Sequence, residues 1–153
     1  MDTGKFPGVD STLKADAELA GVYGSFSLQS EYMHAFVRRK VAPDLDFSGW
    51  YLYGSWFPTG ESRPYNLKTG SFGRIHPLHA WGAWELGLRF SSLNLSDRDI
   101  RGGQENDYTI GLNWYINPYI RFMANYILAD VTPNKNGLDE TPRIFQLRGQ
   151  VDF

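Results

Sequence analysis

The closing residues, IFQLRGQVDF, constrain the fold more than any other stretch of this chain. Phe145, Leu147, Val151 and Phe153 fall on one parity with Gly149 among them, while Gln146, Arg148, Gln150 and Asp152 fall on the other. Successive strand residues point to opposite faces, so one face of this segment is apolar or blank and the other polar. A soluble domain gains little by stopping on an apolar-face aromatic. A strand that closes a barrel in a bilayer gains much, because its last outward residue sits at the lipid–water interface.

The alternation recurs. Tyr108, Ile110, Leu112, Trp114 and Ile116 share a parity, as do Ile120, Phe122, Ala124, Tyr126 and Leu128. So do Trp84, Leu86, Leu88 and Phe90; Leu13, Ala15, Ala17 and Leu19; and Phe26, Leu28 and Tyr32. The stretch 45–57 reads as a strand but carries aromatics on both parities, so its orientation is open. A soluble sandwich also alternates. The other parity decides between them, because it holds Lys14, Asp16, Glu18, Glu31, Glu85, Arg89, Asp107, Arg121, Arg148 and Asp152. Unpaired charges in a dry core cost several kcal/mol each, and a water-filled lumen removes that cost.

Composition is consistent with a β-barrel. No apolar run reaches the roughly 18 residues of a membrane helix. Aromatics make up 16% of the chain, and many flank the strands, as an interfacial girdle requires. The net charge of −2 gives no reason to expect nucleic acid, and the absence of cysteine removes disulfides and thiolate metal sites.

Connection lengths supply the topology. Two connections are short, around Gly24-Ser25 and at Asn117-Pro118, and three are longer, 38–44, 96–106 and 132–142. Outer-membrane barrels keep short turns on the periplasmic side and long loops outside. All five fall on the expected side if seven strands cross and 58–81 is one long periplasmic connection, with a short strand near Gly70–Ile75. An eighth crossing there would flip the parity upstream. Seven strands do not close a single-chain barrel, and MDTGKFPGVDS lacks the features of an export signal. The expectation is therefore that residues 1–153 are the C-terminal part of one larger barrel domain, with 1–11 the remnant of an external loop.

The run GAWELGLRFSSLNLSDRDIRGGQENDYTIGLNWYINPYIRFMANYI resembles the C-terminal region of the phosphate-selective porin O/P family, as do GSWFPTGESRPY and IFQLRGQVDF. The resemblance covers essentially all of 12–153. It implies an all-β, antiparallel transmembrane β-barrel fragment, about the last seven strands of a 16-stranded outer-membrane porin. It also implies a homotrimer that passes phosphate, polyphosphate or other small anions, and a connection 58–81 that folds inward and supplies basic residues. The surroundings implied are the bilayer with lipopolysaccharide, and a barrel-assembly machinery that reads Phe153.

Arg63, Lys68 and Arg74 are the positive charges of the long connection and are the expected anion-attracting cluster at the periplasmic mouth. Glu61, two residues from Arg63, is its expected neutraliser. Lys14, Arg89, Arg121 and Arg148 are the expected pore-lining cations of the strands. Six lumenal acids against these four cations point to salt bridges that stiffen the wall. His76 and His79 have metal-ligand spacing but no matching partners, and Asp97 and Asp99 lack the later ligands of a calcium loop. No nucleophile–base arrangement stands out, and no enzyme activity, cofactor or metal is expected. The alternative from another class is a small structural barrel or adhesion scaffold; a non-functional truncated porin is a further one.

Overall fold

The alternating segments pair with their sequence neighbours as an antiparallel meander in the computed structural model, which describes residues 2–5, 8–132 and 140–153. The elements are β1 (Val9–Tyr23), β2 (Phe26–Arg39), β3 (Leu45–Trp56), β4 (Tyr65–Asn66), β5 (Ser71–Phe72), β6 (Ala83–Asp97), β7 (Ile100–Asn117), β8 (Ile120–Thr132) and β9 (Arg143–Val151). Seven of them form an open sheet in the order β1-β2-β3-β6-β7-β8-β9, with β1 and β9 at its edges. The other two, β4 and β5, make a small hairpin inside the long connection, close to where the sequence suggests a short strand. No strand of membrane length lies between β3 and β6.

The two short turns form where the sequence can support them. Gly24 has φ +56°, which an L side chain rarely adopts. At the second turn the Asn117 side chain accepts the backbone N–H groups of Tyr119 and Ile120, at 2.8 and 2.9 Å. These groups would otherwise be unpaired at the start of β8.

Register fixes the two faces. Trp84, Trp114 and Phe122 face one another across β6, β7 and β8. Leu86, Leu112, Ala124 and Leu147 form the next outward row, and Leu88, Ile110, Tyr126 and Phe145 the one after. Phe90, Tyr108 and Leu128 close the band. The Trp84 and Trp114 rings stack at 5.4 Å, and Phe90 meets Tyr108 at 4.9 Å. From Trp114 to Tyr108 the strand rises about 20 Å at ~3.4 Å per residue. Tilt shortens this span along the membrane normal and the rings of the two edge rows extend it at both ends, which gives an apolar band with an aromatic row at each edge, as in a membrane barrel. Leu147 is 72% and Ile110 58% exposed, and water would penalise an apolar surface of this extent.

The same register orients β3. Tyr53 pairs with Arg89 and Ser55 with Gly87, so Tyr51, Tyr53 and Ser55 join the polar face, while Trp50, Leu52 and Trp56 join the apolar one.

Two sequence expectations are corrected. The segment 96–106 is no loop: β6 and β7 stay paired to Asp97 and Ile100, with a bulge between Asn94 and Ser96 and a turn at Arg98-Asp99. The outward positions there are Ser92, Asn94, Gln104 and Asn106, so pairing outlasts the apolar alternation that marks a strand in sequence. In addition, β1 begins at Val9 rather than beyond residue 11. The expected loop 132–142 falls largely outside the described residues.

Candidate functional site

The polar face is built most densely at the short-turn end, where the connection 57–82 packs against it. Phe57 follows β3 and is buried with Ile75, Ala83 and Tyr115 in a small apolar core. Thr59 Oγ1 accepts the backbone N–H of Trp84 at 3.1 Å. Glu61 is also buried; it accepts a hydrogen bond from the Thr59 hydroxyl and another from the Leu78 backbone N–H at 2.9 Å. Burial opposes ionisation of Glu61, but these donors prevail and hold its carboxyl below the ordinary range. Glu61 thus staples the two ends of the connection together and does not neutralise Arg63, contrary to the sequence expectation.

Arg63 pairs with Glu85 instead. Glu85 is fully buried. It also accepts from the Tyr53 hydroxyl at 3.2 Å, Asn113 Nδ2 at 3.0 Å and the Tyr115 hydroxyl at 2.8 Å. Its donors therefore come from β3, β7 and the connection, all converging on one carboxylate of β6. The Arg63 guanidinium lies 5.8 Å from the Phe57 ring centroid and 5.3 Å from that of Phe72. Its Nε is buried with no hydrogen-bond partner among the described residues.

Arg63, Arg74 and Arg121 line one hollow of about 270 Å³, bordered by Tyr115, Tyr119 and Asp152. Arg74 lies 4.7 Å over the Tyr119 ring. Arg121 donates to Gln150 Oε1 from Nη2 at 2.8 Å and from Nε at 3.2 Å, and Gln150 donates onward to Asp152 at 2.6 Å. A neutral amide holds Arg121 in place, and no carboxylate forms an ion pair with it among the described residues.

The remaining expected cations lie elsewhere. Lys68 is exposed in the β4–β5 turn, away from the hollow's lining. Arg89 lies 4.4 Å over the Tyr51 ring, at the margin of a second hollow of about 470 Å³ that also takes in Gln29, Tyr53, Asn113 and Gln146. Lys14 and Arg148 are exposed on the polar face near opposite sheet edges.

Sequence spacing does not reveal the Glu85 network. Arg63 and Glu85 are 22 residues apart, and only the fold brings them together. His79 stacks on Trp81 at 5.0 Å, and neither it nor His76 joins a metal-like cluster among the described residues. Asp99 binds Arg39, and Asp97 accepts the Asp46 backbone N–H. Asp16, Glu18 and Glu31 stand close together near the β1 edge.

The outward aromatic rows, the polar inner face and the docked connection together describe a porin wall. The model of the family "Phosphate-selective porin O and P" matches residues 1–153. The chain belongs to this family. It is 29% identical to "Porin O" of Pseudomonas aeruginosa over an alignment of 137 residues, and the match covers 80% of this chain and 31% of that protein. It is 33% identical over 116 residues to an uncharacterized protein of Caulobacter vibrioides, covering 70% of this chain and 23% of that protein. The chain thus spans about a third or less of the length of these relatives. A member of this family is a bacterial outer-membrane protein, which supplies the bilayer that the exposed apolar rows demand.

Proposed function

We propose that this chain forms part of the wall of an outer-membrane channel for passive diffusion of small anions, with phosphate or polyphosphate the favoured substrate. The observation that carries the proposal is the hollow lined by Arg63, Arg74 and Arg121 on the polar face. Guanidinium groups match oxyanions because their planar forks donate parallel hydrogen bonds. A narrow, low-dielectric passage concentrates counter-ions at such a cluster. Arg89, Arg148 and Lys14 lie on the same face among a larger number of acids, so the positive field is local to the hollow, and Lys68 contributes only to the field at the mouth. No bond is made or broken; the chain lowers the electrostatic cost of passage.

In this reading the chain is the C-terminal portion of one 16-stranded barrel that assembles as a homotrimer. The connection 58–81 lies inside the lumen at its periplasmic end. The outer rim meets lipopolysaccharide, and Phe153 is read by the insertion machinery. Deleting Phe153 should lower the yield of inserted channel; an unchanged yield would remove that partner from the proposal.

Single-channel recording on the complete channel tests the main claim. Changing Arg74 and Arg121 to glutamine should lower the anion-to-cation permeability ratio by roughly two- to fivefold at low salt, and less at high salt. It should also weaken the block of chloride current by phosphate. If both quantities stay unchanged, the connection is only a connector and selectivity resides elsewhere.

A further inference from the structure

A channel must release what it binds, and three arginines around one hollow would bind an oxyanion tightly. The fold places an acid directly behind one of them. Glu85 is fully buried and has four side-chain donors, of which Arg63 alone is charged. The Tyr53 and Tyr115 hydroxyls and the Asn113 amide can each accept as well as donate, so between them they would also satisfy both the oxygen and the NH2 of a glutamine at this position. The carboxylate charge is therefore in excess of what packing needs, and it is directed at Arg63.

We propose that Glu85 is a specificity-determining positioning residue: by neutralising Arg63 and holding it at the back of the arginine-lined hollow, it keeps the hollow's hold on oxyanions weak enough for through-flow. The inference rests on the channel reading above. Asp152 is the other acid at the hollow. The hollow and its backing thus carry three arginines against two carboxylates, and removing the Glu85 charge doubles the positive excess. The same contact fixes the connection. Arg63 is held between Phe57 and Phe72 while its guanidinium reaches the sheet, so the charge at the hollow and the seating of the connection are set by one side-chain pair.

The test uses the complete channel in a planar bilayer, with inorganic phosphate as blocker of chloride current. Glu85→Gln keeps the shape and an acceptor oxygen but removes the charge. The half-blocking phosphate concentration should fall by about three- to tenfold, as one unit charge within roughly 7 Å of the anion allows under partial screening. The blocked dwell time should lengthen in step. Arg63→Gln should shift both in the opposite direction, and the double variant should return to within about twofold of the unaltered channel. Should Glu85→Gln fail to insert, adding it to Arg63→Gln must still tighten the block relative to Arg63→Gln alone. A purely structural Glu85 would move both single variants the same way, with no return in the double, and that result overturns the proposal. Absence of any anion-selective current from the unaltered channel would overturn the channel reading instead.

Discussion

The two ends of the sheet solve the same problem with opposite burial. At each end the polar face carries a small apolar core beside an arginine–carboxylate pair. At the short-turn end the core is Phe57, Ile75, Ala83 and Tyr115, and the pair is Arg63–Glu85, with the acid buried. At the long-loop end the core is Val37, Leu45 and Phe47, and the pair is Arg39–Asp99. There the arginine side chain is fully shielded and Asp99 is 54% exposed. Arg39 also donates from Nε to the Pro43 carbonyl at 2.6 Å, and its backbone N–H goes to Asp44. One pair ties a long connection to the wall through a dry acid; the other latches a short loop to a hairpin tip through a wet one. A buried carboxylate cannot lose its partner cheaply, whereas a solvated one can turn to water.

The largest effect should follow from breaking the buried pair by truncation. Arg63→Met leaves Glu85 uncompensated, and the loss is about 3–5 kcal/mol, as for other buried pairs that lose one partner. Limited proteolysis within 58–81 and unfolding in detergent should both report it. A loss below about 1 kcal/mol would show that the two ends are equivalent after all.

Next in size is Gly82→Ala. Gly82 has φ +95°, and an added Cβ would strike the Tyr115 carbonyl oxygen first and come within 2.8 Å of Trp114 Nε1. That indole donates to the Trp81 carbonyl at 3.0 Å, pinning the end of the connection to the aromatic row. A loss of roughly 2 kcal/mol is expected from backbone strain and the lost bond. Unaltered Trp fluorescence and stability would remove the pin from the account.

At the opposite end, Arg39→Ala should raise hydrogen exchange in 40–46 and 97–100 and leave single-channel conductance within the scatter of the unaltered channel. The pH dependence should sharpen the contrast. The hydrogen bonds from Arg39 lower the Asp99 carboxyl to about 2, from an ordinary value near 4. A depressed acid contributes stability that is complete above its unfolded value and is lost as pH falls through its folded value. Exchange protection at this rim should therefore be flat from neutral pH down to about 5 and fall between about 4 and 2. A fall beginning near pH 6 would contradict the latch. The smallest effect belongs to Lys68→Gln, a change within about 0.5 kcal/mol, as for exposed sites without partners, and no change in phosphate block.

Much of this architecture was legible because the bilayer writes itself into every second residue. The outward rows of β6 to β9 are the apolar parities of the sequence, and the short turns announce themselves through Gly24 and Asn117-Pro118. Legibility failed where that imprint ends. β3 hides its face because tyrosine carries a polar tip on an aromatic body, so Tyr51 and Tyr53 suit the wet side while Trp50 and Trp56 suit the dry one. The rungs from Ser92 to Asn106 hide because nothing apolar is needed beyond the membrane. At the site, Arg121 was readable from parity, but the partner of Arg63 was not. In an extended connection Glu61 is a neighbour in sequence only, and Thr59 and Leu78 claim it first. The pull of Glu85 on Arg63 comes from three-dimensional convergence of three strands, which no local spacing encodes.

The continued pairing of β6 and β7 past the aromatic row has a mechanical consequence. About seven residues on each strand, roughly 20 Å at the usual rise, stand as a braced ridge rather than a slack loop, with the Arg39 fork gripping its tip. In the orientation proposed above, with the connection 58–81 at the periplasmic end, such a ridge is a fixed landmark on the outer surface of the cell. An antibody or phage fibre would meet the same shape on every copy and spend little entropy ordering it, and a peptide spliced between Arg98 and Asp99 would be displayed on a stiff mast.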